Sequence, residues 1–508
     1  MGQKKIILFR PTASILYRQG EVPLQLLSIA RMHMPEYDVH IVCSEVGLQK
    51  RPRAEVEKEI DSLLDDCLYF GVTAMTGYGL KEAKEICQWV RRKSPETKIV
   101  WGGWHSSLLP EQTLQEEAVD FVVVGQGEDT ARELAEALEA GKSDFSHIKG
   151  LGWKRGDELV MNPPRPIGDI DPYPPLPYHK VDMDMFEQHA TERMVGIITS
   201  VGCPLDCGFC ADRAVYKGKW KRTGVQKTLD ELKLLRDQYG VKVVKILDSN
   251  FFVDWHRGLD ILRGMRELGM RAFWINARIP KLLKATPEDL KLFRDTVNFF
   301  LVGAESGSDE TLQLVTKLQT VDDIKRVGKM YGDAGVPVCF STLVGTPYED
   351  RNKWKEEWDL TVAMIDELLD ASGNLHTAQV HVYTPYPGTP LFDKAVKMGF
   401  DPPTELEGWA NVEMFSARLP YLPEDLGERA EFLTTHVLQL LRPDYKFYRG
   451  RNPLARASFG TAQTLLKTVY KVRWELKYFD HPVEMRLIQS LLNQRATPDY
   501  EAAELTTV

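Results

Sequence analysis

Cys203, Cys207 and Cys210 stand in the run Gly202-Cys203-Pro204-Leu205-Asp206-Cys207-Gly208-Phe209-Cys210, a C-x3-C-x2-C spacing within one short loop. Three thiolates this close can hold three irons of a cubane [4Fe-4S] cluster, leaving the fourth iron open to a small molecule. A zinc site would need a fourth protein ligand to close its tetrahedron. The nearest histidines, His189 before the loop and His256 well after it, lie outside the usual spacing. The open iron is where chemistry is expected.

Polar residues also stand where later apolar runs stop. Lys242 to Leu247, Arg271 to Asn276, Asn298 to Gly303, Val336 to Thr342 and Thr377 to Tyr383 read as strands, and Ile197-Ile198-Thr199-Ser200 as a short one feeding the cysteines. From about Met194 to Phe400 these six alternate with helical stretches, the pattern of a parallel barrel or partial barrel with its site at the strand C-terminal ends. Those ends carry Asp248-Ser249-Asn250, Asn276 with Arg278, Gly303-Ala304-Glu305-Ser306-Gly307-Ser308, Gly345-Thr346-Pro347 and Thr384-Pro385-Tyr386-Pro387-Gly388-Thr389-Pro390. A guanidinium there can pair with a ligand carboxylate, and an Asp or Glu can accept from an ammonium or hydroxyls. The bland reading of any single one is a helix N-cap, a surface ion pair or a rigid turn.

The first 150 residues show a second strand-and-helix alternation. Lys5 to Phe9, Tyr37 to Val42, Cys67 to Val72, Lys98 to Trp101 and Asp120 to Val124 read as buried parallel strands, with amphipathic segments such as Leu80 to Lys93 between them. This predicts a doubly wound sheet whose ligand sits beyond the strand carboxyl ends. Three strand-end loops are glycine-rich or polar: Thr73 to Tyr78, Gly102-Gly103-Trp104-His105, and Gly125-Gln126-Gly127-Glu128. Glycine there lets backbone approach a flat ligand closely.

On these residues the chain resembles the cobalamin-dependent branch of the radical S-adenosylmethionine (SAM) enzymes, especially the group containing the anaerobic magnesium-protoporphyrin IX monomethyl ester cyclase. The resemblance spans about residues 1 to 400. It implies an α/β protein with a Rossmann-like cobalamin-binding domain, a partial (βα)6 radical SAM barrel and a C-terminal helical domain. It further implies that Cys203, Cys207 and Cys210 hold a [4Fe-4S] cluster whose open iron is chelated by SAM. SAM contacts are then expected from Phe209, Asp248, Asn276, Arg278, Glu305, Ser306, Gly345 and Thr346, with Ser249 departing from the family's usual acidic pair. Cobalamin contacts are expected from Thr73, Gly102, Gly103, His105, Gly125, Gly127 and Glu128. Tyr383, Thr384 and Tyr386 are candidates for substrate. Asp38-Val39-His40 superficially matches the family of cobalt-ligating Asp-x-His-x-x-Gly motifs, but Cys43 replaces the glycine and the run lies inside a strand, so His40 reads as structural. The activity implied is radical chemistry on an unactivated carbon: C-methylation through methylcobalamin and a 5′-deoxyadenosyl radical, or oxidative cyclisation or hydroxylation without methyl transfer. A cobalamin or redox sensor is the remote non-catalytic alternative. No residue is singled out for proton transfer.

With 508 residues, 43% hydrophobic and 27% charged, the chain is long enough for two or three domains. The expected division is a cobalamin-binding domain over 1–150, a Pro-rich linker over 151–190, the barrel over 191–400 and a helical domain over 401–508. A net charge of −9 gives no pull toward nucleic acid. The scattered Cys43, Cys67, Cys87 and Cys339 read as buried free thiols of a reducing, cytoplasmic setting. Between Arg442 and Lys477 nine Lys or Arg face two acids, interleaved with Tyr445, Phe447, Tyr448, Phe459, Tyr470 and Trp474. Leu465, Val469, Val472, Leu476 and Phe479 fall near helical spacing. Such a segment packs on a core, covers an apolar or lipid-like substrate, or lies peripherally on the inner membrane face. A reductant such as flavodoxin or ferredoxin is the expected partner.

Overall fold

The computed structural model describes residues 3–12, 21–46, 49–186, 188–189, 192–373, 375–413, 415, 417–441 and 466–479. It divides into two compact units, Met1–Asn276 with Thr384–Glu413, and Ala277–Tyr383 with Met414–Val508.

The first unit opens with β1 (Lys5–Arg10), α1 (Leu24–Ala30), β2 (Asp38–Cys43), β3 (Cys67–Thr73), α2 (Gly79–Lys93), β4 (Lys98–Gly102), α3 (Trp104–Leu108), β5 (Phe121–Val123) and α4 (Glu128–Glu139). Their sheet runs β2-β1-β3-β4-β5, all parallel. Ile6, Ile7, Leu8 and Phe9 are all buried, as a central strand covered on both faces requires. The chain leaves β1 for β2 on one side and returns to β3 on the other, so the switch point lies between β1 and β3, the place where such sheets open a crevice. Leu80, Ala83, Ile86, Cys87 and Val90 of α2 fill one face of the sheet with Trp101. His40 sits within β2, paired across from Ile7, with its ring 2.9 Å from Asp38.

The sheet continues past the expected boundary at 150. β6 (Leu151–Arg155) and β7 (Glu158–Met161) form a hairpin that adds antiparallel to β5. Gly156, at φ +61°, makes the turn. The segment expected to be linker is therefore linker only beyond this hairpin. Its strands escaped notice because they are short and their tips, Lys154, Arg155 and Glu158, are charged.

The same unit holds β8 (Glu192–Ile197), β9 (Ser200–Gly202), α5 (Ala211–Tyr216), β10 (Trp220–Arg222), β11 (Val243–Ile246) and β12 (Arg271–Ala277). β8, β11 and β12 are parallel neighbours. The expected strand Ile197 to Ser200 is corrected: the parallel strand ends at Ile197, and Ser200–Gly202 turns away to pair antiparallel with Trp220–Arg222. Thr199 and Ser200 leave the ladder because they bind Asp248 instead.

The second unit contributes three parallel strands, β13 (Val297–Glu305), β14 (Val338–Val344) and β15 (Thr377–Val382), with α6 (Lys353–Ala371) between the last two. With β8, β11 and β12, these are the six strands counted in the sequence. A helix over 466–475 lies against α6: Trp474 Nε1 donates to Asp366 at 2.7 Å, and Phe479 stands 6.3 Å from Trp358. The expected apolar stripe is corrected here. Val469, Val472 and Leu476 are 44%, 53% and 71% exposed, and the buried residues are the aromatic Tyr470, Trp474 and Phe479. Leu465, Tyr445, Phe447, Tyr448 and Phe459 lie outside the described residues. No helix among the described residues is long and apolar enough to cross a membrane.

Candidate active site

The cysteine loop is fixed at both ends by its neighbours. Gly202 turns at φ +74°, where a Cβ would strike the Lys219 carbonyl at 2.2 Å, so only glycine brings the chain into the loop. The Cys210 amide closes a turn on the Cys207 carbonyl at 3.1 Å. Gly208 accepts from the Leu391 amide at 3.0 Å, so the loop after β15 that carries Tyr386 is tied to the cysteines. Tyr386 is half-buried near Cys210, and burial pushes its phenol up to about 12.

None of the three cysteines is in a disulfide among the described residues. Burial pushes the Cys210 thiol up to about 12, with Asp212, Cys207 and Cys203 near enough to add to the rise. Among the described residues no group of three or more His, Cys, Asp or Glu, the three cysteines included, stands gathered so as to hold a metal ion. The donor set itself, three unoxidised sulfurs on one glycine-hinged loop, fits a cluster with one open iron. Phe209 is half-buried beside it.

Asp248 is not free to bind a ligand. It is fully buried, and its carboxylate accepts from Thr199 N (2.6 Å), Thr199 Oγ1 (2.6 Å), Ser200 N (3.0 Å) and Ser200 Oγ (2.7 Å). Four donors fill the lone pairs a carboxylate offers. Asp248, expected among the SAM contacts, is thereby engaged in pinning the segment that enters the cysteine loop. Buried Arg257 reinforces that segment by donating to the Thr199 and Thr223 carbonyls, each at 2.9 Å. Asn276 likewise spends its amide on the Asp248 carbonyl at 2.9 Å.

Asp212, two residues past Cys210, is the opposite case. It is 3% exposed, and neither carboxylate oxygen has a hydrogen-bond partner. The Ser249 hydroxyl is near enough to oppose the effect of burial, which pushes the carboxyl up to about 6. Sequence reading passed over Asp212, although its position beside the third cysteine was signal enough.

At the N-terminal sheet, Thr73 and Gly102 end β3 and β4. A Cβ on Gly102 would meet only Val123, at 3.8 Å, and one on Gly125 only the Val215 carbonyl, at 4.0 Å. These two positions leave backbone open for a flat ligand. Gly103, at φ +99°, instead packs under the Ala74 carbonyl, 2.7 Å from where a Cβ would stand. Gly127 closes on Val123 and Ile29. His105 is wholly buried against Thr76 (3.1 Å) and Trp409, its Nε2 has no hydrogen-bond partner, and burial pulls its imidazole down to about 4. Glu128 is also occupied, accepting from Ser28 at 2.7 Å with Arg31 at 3.7 Å. Ser107, unmarked in the sequence, clips two loops together by accepting from Gly125 N (2.9 Å) and donating to the Gly103 carbonyl (2.7 Å). Trp104 of α3 stacks edge-on with Tyr216 of α5 at 6.1 Å, so this sheet's loops adjoin the helix leaving the cysteine loop.

In the second unit, Arg278 is half-buried with Nε and Nη2 unpartnered, as a carboxylate-binding guanidinium should be. Glu305, held at φ +65°, forms a buried ion pair with Lys317 at 2.7 Å. Ser306 is buried and accepts from Ser308 N at 3.2 Å, inside the turn. Gly345 and Thr346 are held by Glu357, which no motif announced: Gly345 N, Thr346 N and Thr346 Oγ1 donate to it at 2.6, 3.3 and 2.6 Å. Burial pushes this carboxyl up to about 7. Tyr383, just past the end of β15, is buried, as is Thr384, where the chain re-enters the first unit.

Residues 197–360 match the Radical SAM superfamily and residues 18–135 the B12 binding domain. The chain is 30% identical over 408 residues to "Uncharacterized methyltransferase PH0819" of Pyrococcus horikoshii, covering 77% of this chain and 83% of that one. The chain belongs to the cobalamin-dependent radical SAM enzymes. It is also 24% identical over 348 residues to the anaerobic magnesium-protoporphyrin IX monomethyl ester cyclase of Rubrivivax gelatinosus, covering 67% of this chain and 60% of the cyclase. Among solved structures, the cobalamin-dependent SAM radical enzyme OxsB with aqua-cobalamin bound is similar in fold, with a TM-score of 0.68, 15% identity, and coverage of 97% of this chain and 75% of OxsB. As a cobalamin-dependent radical SAM enzyme, the protein uses a [4Fe-4S] cluster, SAM and cobalamin.

Proposed function

We propose that this radical SAM enzyme is a C-methyltransferase acting on an unactivated carbon of a small, apolar molecule. The observation that carries the reading is the junction of Trp104 with Tyr216 and of Gly125 with Val215. It sets the open-backbone loops of the cobalamin-binding sheet against the helix that follows the cluster cysteines. A carbon handed from one cofactor to a radical made at the other needs this adjacency, since bound groups react only when held near contact.

When bound, the cluster and SAM supply the radical and cobalamin the methyl carrier, so one SAM is spent on each, with electrons from an external reductant such as flavodoxin or ferredoxin. The chain's own residues do the positioning. Cys203, Cys207 and Cys210 fix the cluster; Asp248, through Thr199 and Ser200, fixes their loop. Phe209 would lie against the SAM adenine; within the second unit, Arg278 offers an unpartnered guanidinium suited to a carboxylate, and Glu357 shapes the Gly345-Thr346 turn. Gly102, Gly125, Thr73 and Gly127 border the cobalamin. Tyr386, tied to the cysteine loop, and Tyr383 with Thr384 are the substrate contacts. The exposed Val469, Val472 and Leu476 beside Lys471 and Arg473 favour peripheral contact with an anionic lipid surface, which flotation with anionic vesicles at low salt tests.

The similarity to the cyclase supports a second reading, oxidation or ring closure without methyl transfer. Anaerobic turnover with product mass and S-adenosylhomocysteine quantification separates the two. A gain of one CH2 mass with stoichiometric S-adenosylhomocysteine is expected; an oxidised product without it would install the second reading.

A further inference from the structure

A buried carboxylate is satisfied by donors, or it is a defect that folding tolerates for a reason. Asp248 and Asp212 flank the same cysteine loop in the same unit and differ on this point. Asp248 has four donors, all from the protein. Asp212, 3% exposed, has no backbone or charged donor, and the Ser249 hydroxyl, outside good hydrogen-bond geometry, is the one donor near it. Its surroundings are Cys210, whose thiol it influences, the Ser249 hydroxyl at the end of β11, and Tyr216 one turn along α5. None of these is a cation, and no lysine or arginine pairs with Asp212 among the described residues. The carboxylate is held at the cluster with its acceptor capacity unused.

We propose that Asp212 binds the α-ammonium group of the methionyl end of SAM, the task that the strand-end position 249, here a serine, does not perform. SAM carries one ammonium, and a carboxylate beside the third cysteine with no charged or backbone donor of its own is the group to receive it. The small Ser249 side chain leaves room for Asp212 to reach that point from α5 rather than from the strand. The inference rests on the SAM-binding part of the proposed function alone, so it holds or fails whether the product is methylated or oxidised.

Equilibrium dialysis on the anaerobically reconstituted full chain tests it with two probes. S-adenosylhomocysteine carries the ammonium; 5′-methylthioadenosine lacks the whole amino-acid end. Asp212→Asn should weaken S-adenosylhomocysteine binding by about tenfold or more, the scale of one charge-assisted hydrogen bond. It should leave methylthioadenosine binding, iron content and Tm unchanged or Tm slightly raised. The double variant Asp212→Asn with Ser249→Asp should regain most of the affinity, because it returns a carboxylate to the same place from the strand side. Unchanged S-adenosylhomocysteine affinity in Asp212→Asn would overturn the proposal. So would equal weakening of both probes, or a loss of iron, because each marks a structural role.

Discussion

The strand ends of the N-terminal sheet and those of the later parallel strands are built on opposite plans. At the first set the loops leave backbone uncovered: Gly102 and Gly125 have no neighbour within 3.8 Å of a would-be Cβ. At the second set polar side chains dominate, and most are spent on the protein. Asp248 holds Thr199 and Ser200, Glu305 holds Lys317, and Thr346 holds Glu357. The first plan leaves backbone that a large flat ligand could approach. The second uses one set of polar groups to rigidify the turns and leaves a few, Arg278 in one unit and Asp212 in the other, with buried polar atoms that lack a hydrogen-bond partner. A polar residue at a strand end is therefore evidence of a site only once its partners are known.

Breaking the second plan should have the largest effect. Cys207→Ala removes a site-fixing thiolate, and 5′-deoxyadenosine formation should fall to background, read by anaerobic SAM-cleavage assay. Next comes Asp248→Ala. It strands the buried donors of Thr199 and Ser200 and should cost about 3 kcal/mol or more, with reduced iron incorporation, measured by denaturant melts and iron analysis. If Asp248→Ala kept its stability and lost only SAM affinity, Asp248 would belong with the ligand after all.

The glycines of the first plan separate in a sharper way. Gly103→Ala should destabilise by about 1 to 3 kcal/mol, because it combines a left-handed φ with a clash on the Ala74 carbonyl. Gly102→Ala should leave Tm unchanged yet weaken cobalamin binding, read by spectral titration. Equal effects at the two positions would erase the distinction between a structural and a ligand-facing glycine.

Glu357 gives a smaller, pH-dependent effect. Its folded carboxyl is raised to about 7 by burial, above its ordinary value of 4.5, so between those pH values the folded state holds a proton that the unfolded state has lost. This group's contribution to stability is full below about 4.5 and declines as pH rises through about 7. Glu357→Gln should flatten that part of the stability profile. Smallest of all is His40→Ala. With the ring in β2 beside Asp38, electron paramagnetic resonance of the cob(II)alamin form should be unchanged.

The strands and the cysteine loop were legible in the sequence because apolar runs and thiol spacing are local signals. All five N-terminal parallel strands fall within a residue or two of expectation, and five of the six later ones do likewise. The exception, Ile197 to Ser200, fails because Asp248, 48 residues on, captures Ser200. His105 and Glu128 matched a motif, but the motif could not show that Trp409 and Ser28 meet them from far along the chain. The C-terminal stripe failed for a related reason. Helical spacing fits both Val469-Val472-Leu476 and Tyr470-Trp474, and only the bond from Trp474 to Asp366 decides which face is buried. What the sequence hid was in each case a long-range partner.

The central claim is that cobalamin in this enzyme carries a methyl group taken from SAM, and it can be tested without knowing the substrate. Holoenzyme with bound cobalamin, reduced anaerobically and mixed with SAM, should release about one S-adenosylhomocysteine per cobalamin in the first turnover, with none from protein lacking cobalamin. Cleavage of SAM to 5′-deoxyadenosine with no S-adenosylhomocysteine in either preparation would contradict it.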